Sequence, residues 1–180
     1  MDKYWQDENK QYGIDFNTAL DVMEIHEIVK IYTEYISDAD IIVEDMDKIL
    51  FIEYKNSNIE NAAHPENFTS NLDRAASDGE KNNDFRKKLA KKFYGTLFTM
   101  WACDKNKKDK PIHYVLLFES NPGIDDKMKK AITFKMRKQL PFQLKGMPSI
   151  KREVISDFEI LNFADWAVRF PDFKIKKTEN

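Results

Sequence analysis

The sequence contains few of the residues that build several common kinds of functional site. Its single cysteine, Cys103, excludes an internal disulfide framework and fits a reducing, cytoplasmic setting. It has only five glycines and no Gly-rich phosphate loop. Its three histidines, His26, His64 and His113, have neither zinc-site spacing nor an HExxH arrangement. Disulfide scaffolds, P-loop enzymes and zinc proteases are therefore poor descriptions of this chain.

Long apolar runs are also missing. No run approaches the roughly 20 residues that cross a bilayer, and the first residues lack the basic and apolar regions of a secretory signal. We therefore expect a cytoplasmic protein with no membrane partner. With 180 residues, 42% of them hydrophobic, the chain is long enough for one domain with a sizeable core. That domain is expected to span 1–180, with its core at about 17–140 and an elaboration at 141–180.

Charge is unevenly distributed along the chain although its net value is only −2. Residues 1–80 contain 6 Lys and Arg against 19 Asp and Glu, whereas residues 81–180 contain 23 against 12. This asymmetry indicates an acidic half that attracts metal ions beside a basic half that attracts phosphates. The alternative is that the two halves neutralise each other across a packed fold.

The stretch 38–56 has the pattern of a β-hairpin. Two β-branched apolar runs, 41–43 and 49–52, are separated by the polar segment 45–48, which is longer than a tight two-residue turn. If the hairpin is symmetric, paired residue numbers sum to 93, so that Ile42 faces Phe51. The register depends on the length of this loop, because a shift of one residue moves every side chain to the other face.

The same register places two carboxylates opposite each other. Asp40 faces Glu53, with Lys55 one step further along the same face. Like charges directly across a strand pair destabilise it. A divalent cation bound by both carboxylates would relieve that repulsion. The hairpin therefore predicts a metal site at Asp40 and Glu53.

The remaining helices and strands are predicted from the periodicity of apolar residues and from the residues that end regular structure. Residues 1–15 are expected to be irregular or briefly helical, 57–83 to be a long loop, and 174–180 to fray. Within 28–36 the later part suggests a strand, although a continuing helix also fits its spacing. The other predicted elements are helices at 17–25, 84–102, 125–140 and 164–170 and strands at 111–120 and 154–163. In the helix at 125–140, either Phe134 or Lys135 is expected to face inward.

The order of these elements resembles the PD-(D/E)XK, or restriction-endonuclease-like, nuclease superfamily. Asp40 begins one strand, and Glu53-Tyr54-Lys55 ends the next, giving the string D-x₁₂-E-x-K. The likeness covers about 17–120, and it departs from the motif where Ala39 stands in place of the proline. It implies an α/β (α+β) fold, with a central mixed sheet that contains an antiparallel meander and is flanked by helices.

The resemblance also implies an enzyme, a metal-dependent nuclease that hydrolyses phosphodiester bonds in DNA or RNA. Asp40, Glu53 and the Tyr54 carbonyl would hold Mg²⁺ or Mn²⁺. Lys55 would orient or activate the attacking water, or neutralise developing charge. Members often add a carboxylate from the first helix, and Glu24 is the first choice here, with Glu27 the second.

Basic residues follow the motif. Lys88 and Lys92 lie four apart on one face of the helix at 84–102, and in the nuclease interpretation they would contact phosphate. An ordinary solvated helix face would produce the same pattern. A core of this size commonly needs a partner or a homodimer to grip a duplex.

Two rival functions use the same residues. One is a catalytically silent module for binding nucleic acid or protein on the same fold. The other is a structural or regulatory partner protein, whose uneven charge serves self-association. The presence of Asp40, Glu53 and Lys55 together favours the nuclease over both.

Overall fold

Two β-sheets with flanking helices make up the part of the chain that the computed structural model describes, which is residues 3–23, 25–30, 36–58, 76, 84–121 and 123–178. The strands, in chain order, are β1 (Tyr4–Gln6), β2 (Tyr12–Asp15), β3 (Asp21–Met23), β4 (Ile41–Glu44), β5 (Ile49–Asn56), β6 (Ile112–Glu119), β7 (Ile155–Leu161) and β8 (Lys174–Lys177). The α-helices are α1 (His26–Lys30), α2 (Asp84–Ala102), α3 (Asp126–Gln139) and α4 (Phe163–Arg169), and a 3₁₀ helix spans Pro141–Leu144.

The larger sheet has five strands in the order β3-β4-β5-β6-β7. The first three run antiparallel, and β5, β6 and β7 run parallel. Ile42 pairs with Phe51, as the hairpin register predicts. The expected mixed sheet with an antiparallel meander is therefore confirmed. The parallel pairing of β5 and β6 is reached through the crossover that contains α2.

Each face of the larger sheet is buried under a different layer. Phe51 and Tyr114 pack on one face with Phe93 of α2 and with residues of α1 and α3. The opposite face packs against the small sheet and α4, where Trp166 is fully buried. Because side chains alternate along a strand, successive residues of β5 enter different cores. Glu53 lies on the same face as Phe51, beneath α2.

The small sheet has the order β1-β2-β8 and is antiparallel throughout. It corrects two expectations, since 1–15 was predicted to lack strands and 174–180 to fray. Ile14 pairs with Ile175 and is fully buried. The three strands have only three or four residues each, and β8 pairs with a strand that is distant in sequence, so the two segments contain no local strand signal of the usual length.

The segment before the hairpin also differs from the prediction. The helix expected at 17–25 is replaced by strand β3, which pairs with β4, and the Leu20 N–H donates to the Glu44 carbonyl at 2.8 Å. Leu20, which would belong to the apolar stripe of such a helix, is 43% exposed. Pairing with the edge of β4 outweighs the weak helical spacing here. Helix α1 spans His26–Lys30 and so includes 28–30, as the continuing-helix alternative allows. Most of the later part of 28–36, where a strand was expected, lies outside the described residues at 31–35.

The second half of the chain agrees more closely with its periodicity. Helix α2 has the predicted bounds, and β6 is almost entirely buried. Helix α3 begins where the Asp125 side chain accepts from the Met128 N–H, and ends before Pro141. Of its two inward candidates, Phe134 is 61% exposed and Lys135 is half-buried. The long loop expected at 57–83 lies almost wholly outside the described residues. Among the helices described, none is long and apolar enough to cross a membrane.

Helix α2 approaches the chain before β4 very closely at Gly95. A Cβ atom built on Gly95 would lie 2.1 Å from the Ser37 carbonyl oxygen and 3.0 Å from the Ser37 nitrogen. Such distances are far inside van der Waals contact, and the nearest atoms belong to the backbone. Only glycine therefore allows this separation between α2 and the segment that leads to Asp40.

Gly95→Ala is expected to lower the free energy of unfolding by about 1–3 kcal/mol, the usual range for overpacking. The direction of this change in stability is informative, because a Gly to Ala change inside a helix otherwise stabilises the helix by about 1 kcal/mol. Urea unfolding followed by circular dichroism measures the change. Gly123→Ala is the control, since its added Cβ would meet nothing closer than 3.9 Å. A stabilised Gly95→Ala variant would contradict the close approach.

Candidate functional site

Four charged side chains from three separate segments meet at one end of the larger sheet. Asp40 lies directly before β4, Glu53 and Lys55 lie on β5, and Lys92 lies on α2. The hairpin brings the first three together, as the register predicts, and the crossover helix adds the fourth. The result is a cluster of two carboxylates and two ammonium groups.

Asp40 is held by both neighbouring elements. Its Oδ2 accepts from the Tyr54 backbone N–H at 2.9 Å, so that a side chain takes the place of a backbone acceptor at the end of the β4–β5 ladder. The preceding Ala39 N–H donates to the Thr96 hydroxyl at 2.8 Å, and that hydroxyl donates to the Lys92 carbonyl at 2.8 Å. Asp40 is therefore positioned relative to α2 as firmly as to β5.

Lys92 is shared by the two carboxylates. Its Nζ lies 2.9 Å from Asp40 Oδ1 and 2.7 Å from Glu53 Oε2. The Glu53 side chain is only 2% exposed, whereas that of Asp40 is 28% exposed. A buried carboxylate needs such a partner, because burial of an unpaired charge is very costly.

Lys55 closes the other side of the cluster. Its Nζ lies 2.6 Å from Glu53 Oε1 and 3.4 Å from Asp40 Oδ2, and it donates to the Tyr54 carbonyl at 3.0 Å. Both oxygens of Glu53 therefore contact an ammonium group. Lys55 is the more exposed of the two lysines, with 36% of its side chain accessible against 23% for Lys92.

The pKa values of the two carboxyl groups are shifted in opposite directions. Burial raises the pKa of Glu53, the nearby Asp40 charge adds to the rise, and Lys55 and Lys92 only partly offset it. For Asp40, burial alone would raise the pKa, but Lys55 and Lys92 outweigh it and the pKa is lowered. The pKa of Lys92 is raised, since Glu53 and Asp40 more than compensate for the effect of its burial. Asp40 is thus the more acidic member of the pair.

The donor set suits a hard divalent cation. Asp40 Oδ1 and Glu53 Oε2 converge on a single cationic atom, the Lys92 Nζ. Carboxylate and carbonyl oxygens are the ligands that Mg²⁺ and Mn²⁺ favour, and the Tyr54 carbonyl lies beside them. The residues therefore fit such an ion, which would have to displace the Lys92 ammonium from the two carboxylates.

The other predicted site residues have different positions. Glu24, the first choice for an additional metal ligand, lies outside the described residues. Glu27, the second choice, pairs with Lys30 at 2.6 Å and is 84% exposed. Lys88 lies on the exposed face of α2 and makes none of the contacts that Lys92 makes.

Two features of the site are missing from the sequence interpretation. The spacing of Lys88 and Lys92 indicated a phosphate-binding face, whereas Lys92 points into the cluster and contacts both carboxylates. Thr96, which orders Ala39, was not singled out at all. The available signal was that Lys92 and Thr96 lie four residues apart beside the buried Phe93, which places them at the edge of the apolar stripe.

A second group of side chains with metal-binding chemistry lies on β6 and β7. Donor atoms of His113, Asp157 and Glu159 lie within 4.8 Å of one another. This cluster could hold a metal ion, but both of its carboxylates are already paired with arginines. Arg169 contacts Glu159 at 3.1 Å, and Arg137 contacts Asp157 at 3.0 Å. The contact with His113, at 2.7 Å, is the main cause of the lowered pKa of Glu159.

Comparisons of this chain with protein-family models, with curated proteins and with solved structures found no match. The geometry of the site is therefore the basis for proposing a function.

Lys92→Met is expected to raise the pKa of Glu53 further. The substitution removes an ammonium that favours the ionised carboxylate and leaves burial and Asp40 in place. Carbon-13 NMR titration of the side-chain carboxyl groups measures the change. Lys145→Met is the matched control, because Lys145 pairs with Glu153 on the surface. An unchanged or lowered pKa in the Lys92→Met variant would mean that Lys92 does not pair with Glu53 in solution.

Proposed function

We propose that this chain is a metal-dependent nuclease with a PD-(D/E)XK core, which hydrolyses phosphodiester bonds in DNA or RNA. One observation carries the proposal: Asp40 and Glu53, at the ends of adjacent strands, share a single cation position with Lys55 beside them. The strand order supports it, because an antiparallel meander continues into parallel strands through the helix that supplies Lys92.

Each residue of the cluster has a role in the proposed reaction. Asp40, Glu53 and the Tyr54 carbonyl would hold Mg²⁺ or Mn²⁺. When bound, such an ion lowers the pKa of a water molecule and stabilises negative charge on the phosphate. Lys55 would orient the attacking water from its position next to both carboxylates, and would neutralise charge that develops in the transition state.

Lys92 would change partners during the cycle. With a divalent ion held by its two carboxylates, the Lys92 ammonium would instead pair with the phosphate. In the hydrolysis, a bond forms between the water oxygen and phosphorus, and the bond from phosphorus to the sugar oxygen breaks. The attacking water gives up a proton to solvent, and the departing oxygen takes one up from solvent. An ammonium such as that of Lys92 stabilises the extra charge on the phosphate during this exchange.

Exposed lysines of α2 extend the cluster toward a polyanion. Lys87, Lys88 and Lys91 are exposed on the same helix, within about one and a half turns before Lys92. Lysines at this distance from a cleavage site contact the phosphate backbone without reading bases. They support nucleic acid as the substrate and agree with the basic second half of the chain.

The second candidate is a catalytically silent binding module with the same fold. One observation favours it: Lys55 and Lys92 already contact all four carboxylate oxygens of Asp40 and Glu53. A site that is internally neutral does not require a metal ion. Metal binding and cleavage, measured separately, distinguish this module from a nuclease.

Cleavage of labelled single-stranded DNA, double-stranded DNA and RNA in Mg²⁺ or Mn²⁺ tests the proposal. We expect the wild type to cut at least one of them. Lys55→Ala is expected to lose about a hundredfold or more of that rate, as for other groups that assist proton transfer, and Glu53→Gln is expected to lose metal-dependent cleavage because a metal ligand is removed. Lys145→Ala and Glu153→Gln, from the surface pair, are the matched controls. If no substrate is cut while nucleic acid still binds, the silent module is the better description.

Lys92→Met is expected to tighten Mn²⁺ binding at alkaline pH, because the Lys92 ammonium competes with the ion for the same two oxygens. A gain of about tenfold in affinity corresponds to about 1.4 kcal/mol. Isothermal titration calorimetry measures the affinity without any substrate, and Lys145→Met is again the control. Unchanged Mn²⁺ binding in the Lys92→Met variant would mean that the ion binds elsewhere, and Asp157→Asn would then test the His113 cluster.

A further inference from the structure

A cavity of about 390 Å³ opens directly beside the candidate site. Trp5 of β1 and Asp7 of the connection that follows it form one wall, and the lining also includes Asp40 and Lys55. Its volume lies within the usual range for small-molecule sites. A group bound in this cavity would therefore be attached to, or be adjacent to, whatever contacts Asp40 and Lys55.

Trp5 provides an aromatic surface in the cavity wall. Its ring packs edge-to-face on Tyr54, with 4.9 Å between the ring centroids, and the residue is only half-buried. Tyr54 is buried and lies between Glu53 and Lys55 in the sequence. The contact fixes the Trp5 ring next to the catalytic strand. Aromatic rings held in this way are the surfaces on which unpaired nucleobases stack.

Asp7 provides an unused hydrogen-bond acceptor in the same wall. The residue is only 4% exposed, and its Oδ1 accepts from the backbone N–H groups of Gln11 and Tyr12 at 2.8 and 3.0 Å. Its Oδ2 is also buried and has no hydrogen-bond partner within the described part of the chain. A buried carboxylate oxygen without a donor is unfavourable. A ligand that brings an N–H group into the cavity would satisfy it.

We propose that this cavity binds one unpaired nucleobase, stacked on Trp5 and donating an N–H of its Watson–Crick edge to Asp7 Oδ2. The inference rests on the proposed nuclease function, and it defines the substrate more narrowly. A base inside a duplex cannot enter such a cavity, because its edge is paired and its faces are stacked. The preferred substrates are therefore single strands, flaps or frayed ends, with the unpaired nucleotide next to the bond that is cut.

The test uses short oligonucleotides that carry 2-aminopurine, a fluorescent base with an amino group. In one probe the base is unpaired in a single-stranded overhang, and in the other it lies opposite thymine within a duplex. Binding is measured in metal-free buffer, so that no cleavage is needed. We expect the wild type to quench the unpaired probe by stacking and to leave the paired probe almost unchanged.

Two variants test the two contacts that the proposal requires, the stacking on Trp5 and the hydrogen bond to Asp7. Trp5→Leu is expected to abolish the quenching. Asp7→Asn keeps the Oδ1 acceptor for the β1–β2 turn but replaces the free acceptor with a donor, and it is expected to weaken binding about tenfold, equivalent to about 1.4 kcal/mol. Trp101→Ala is the control, since Trp101 is 74% exposed on α2. Because Asp7→Asn preserves the turn, it remains informative if Trp5→Leu fails to fold.

The outcomes separate this inference from the proposed function. Equal quenching of both probes, or wild-type binding by Asp7→Asn, overturns the nucleobase cavity even if the chain cleaves nucleic acid. Quenching that depends on Trp5 and Asp7, in a chain that cleaves nothing, supports the cavity and overturns the nuclease. Cleavage that is faster for the overhang than for the duplex, together with the expected quenching, supports both.

Discussion

The ammonium of Lys92 is the contact on which the site depends. It joins α2 to the ends of β4 and β5, and it makes the burial of Glu53 tolerable, since a buried carboxylate without a partner is among the most costly groups in a protein. The same atom marks the position where two carboxylates converge. Structural stabilisation and a binding position for a cation are therefore two aspects of one arrangement, and a divalent ion would substitute for a charge that the fold already supplies.

The backbone around this contact leaves little freedom. The β4–β5 register determines which face Glu53 occupies, and the close passage of α2 at Gly95 determines how far Lys92 reaches. Thr96 connects the two, because its hydroxyl bonds both the helix and the chain before Asp40. A change in any of these would separate the carboxylates from the ammonium without altering a charged residue.

The sequence predicted the parts of this structure that are local. The hairpin register follows from loop length, and α2 and β6 follow from long apolar patterns, so the proximity of Asp40, Glu53 and Lys55 was accessible. The partnership of Lys92 was not, because the distance from a helix to a strand across a crossover is not encoded in periodicity. The small sheet was missed for a related reason: Ile14 pairs with Ile175, which is about 160 residues away in the sequence.

That long-range pairing links the wall of the cavity to the order in which the chain is made. Strand β2 is flanked on one side by β1 and on the other by β8, which follows every strand of the larger sheet in the chain. The five-stranded sheet can close around Asp40 and Glu53 as soon as β7 is available. Strand β2, which supports the wall that carries Trp5 and Asp7, gains its second neighbour only afterwards, so during synthesis the charged cluster would form before the small sheet beside its cavity is complete.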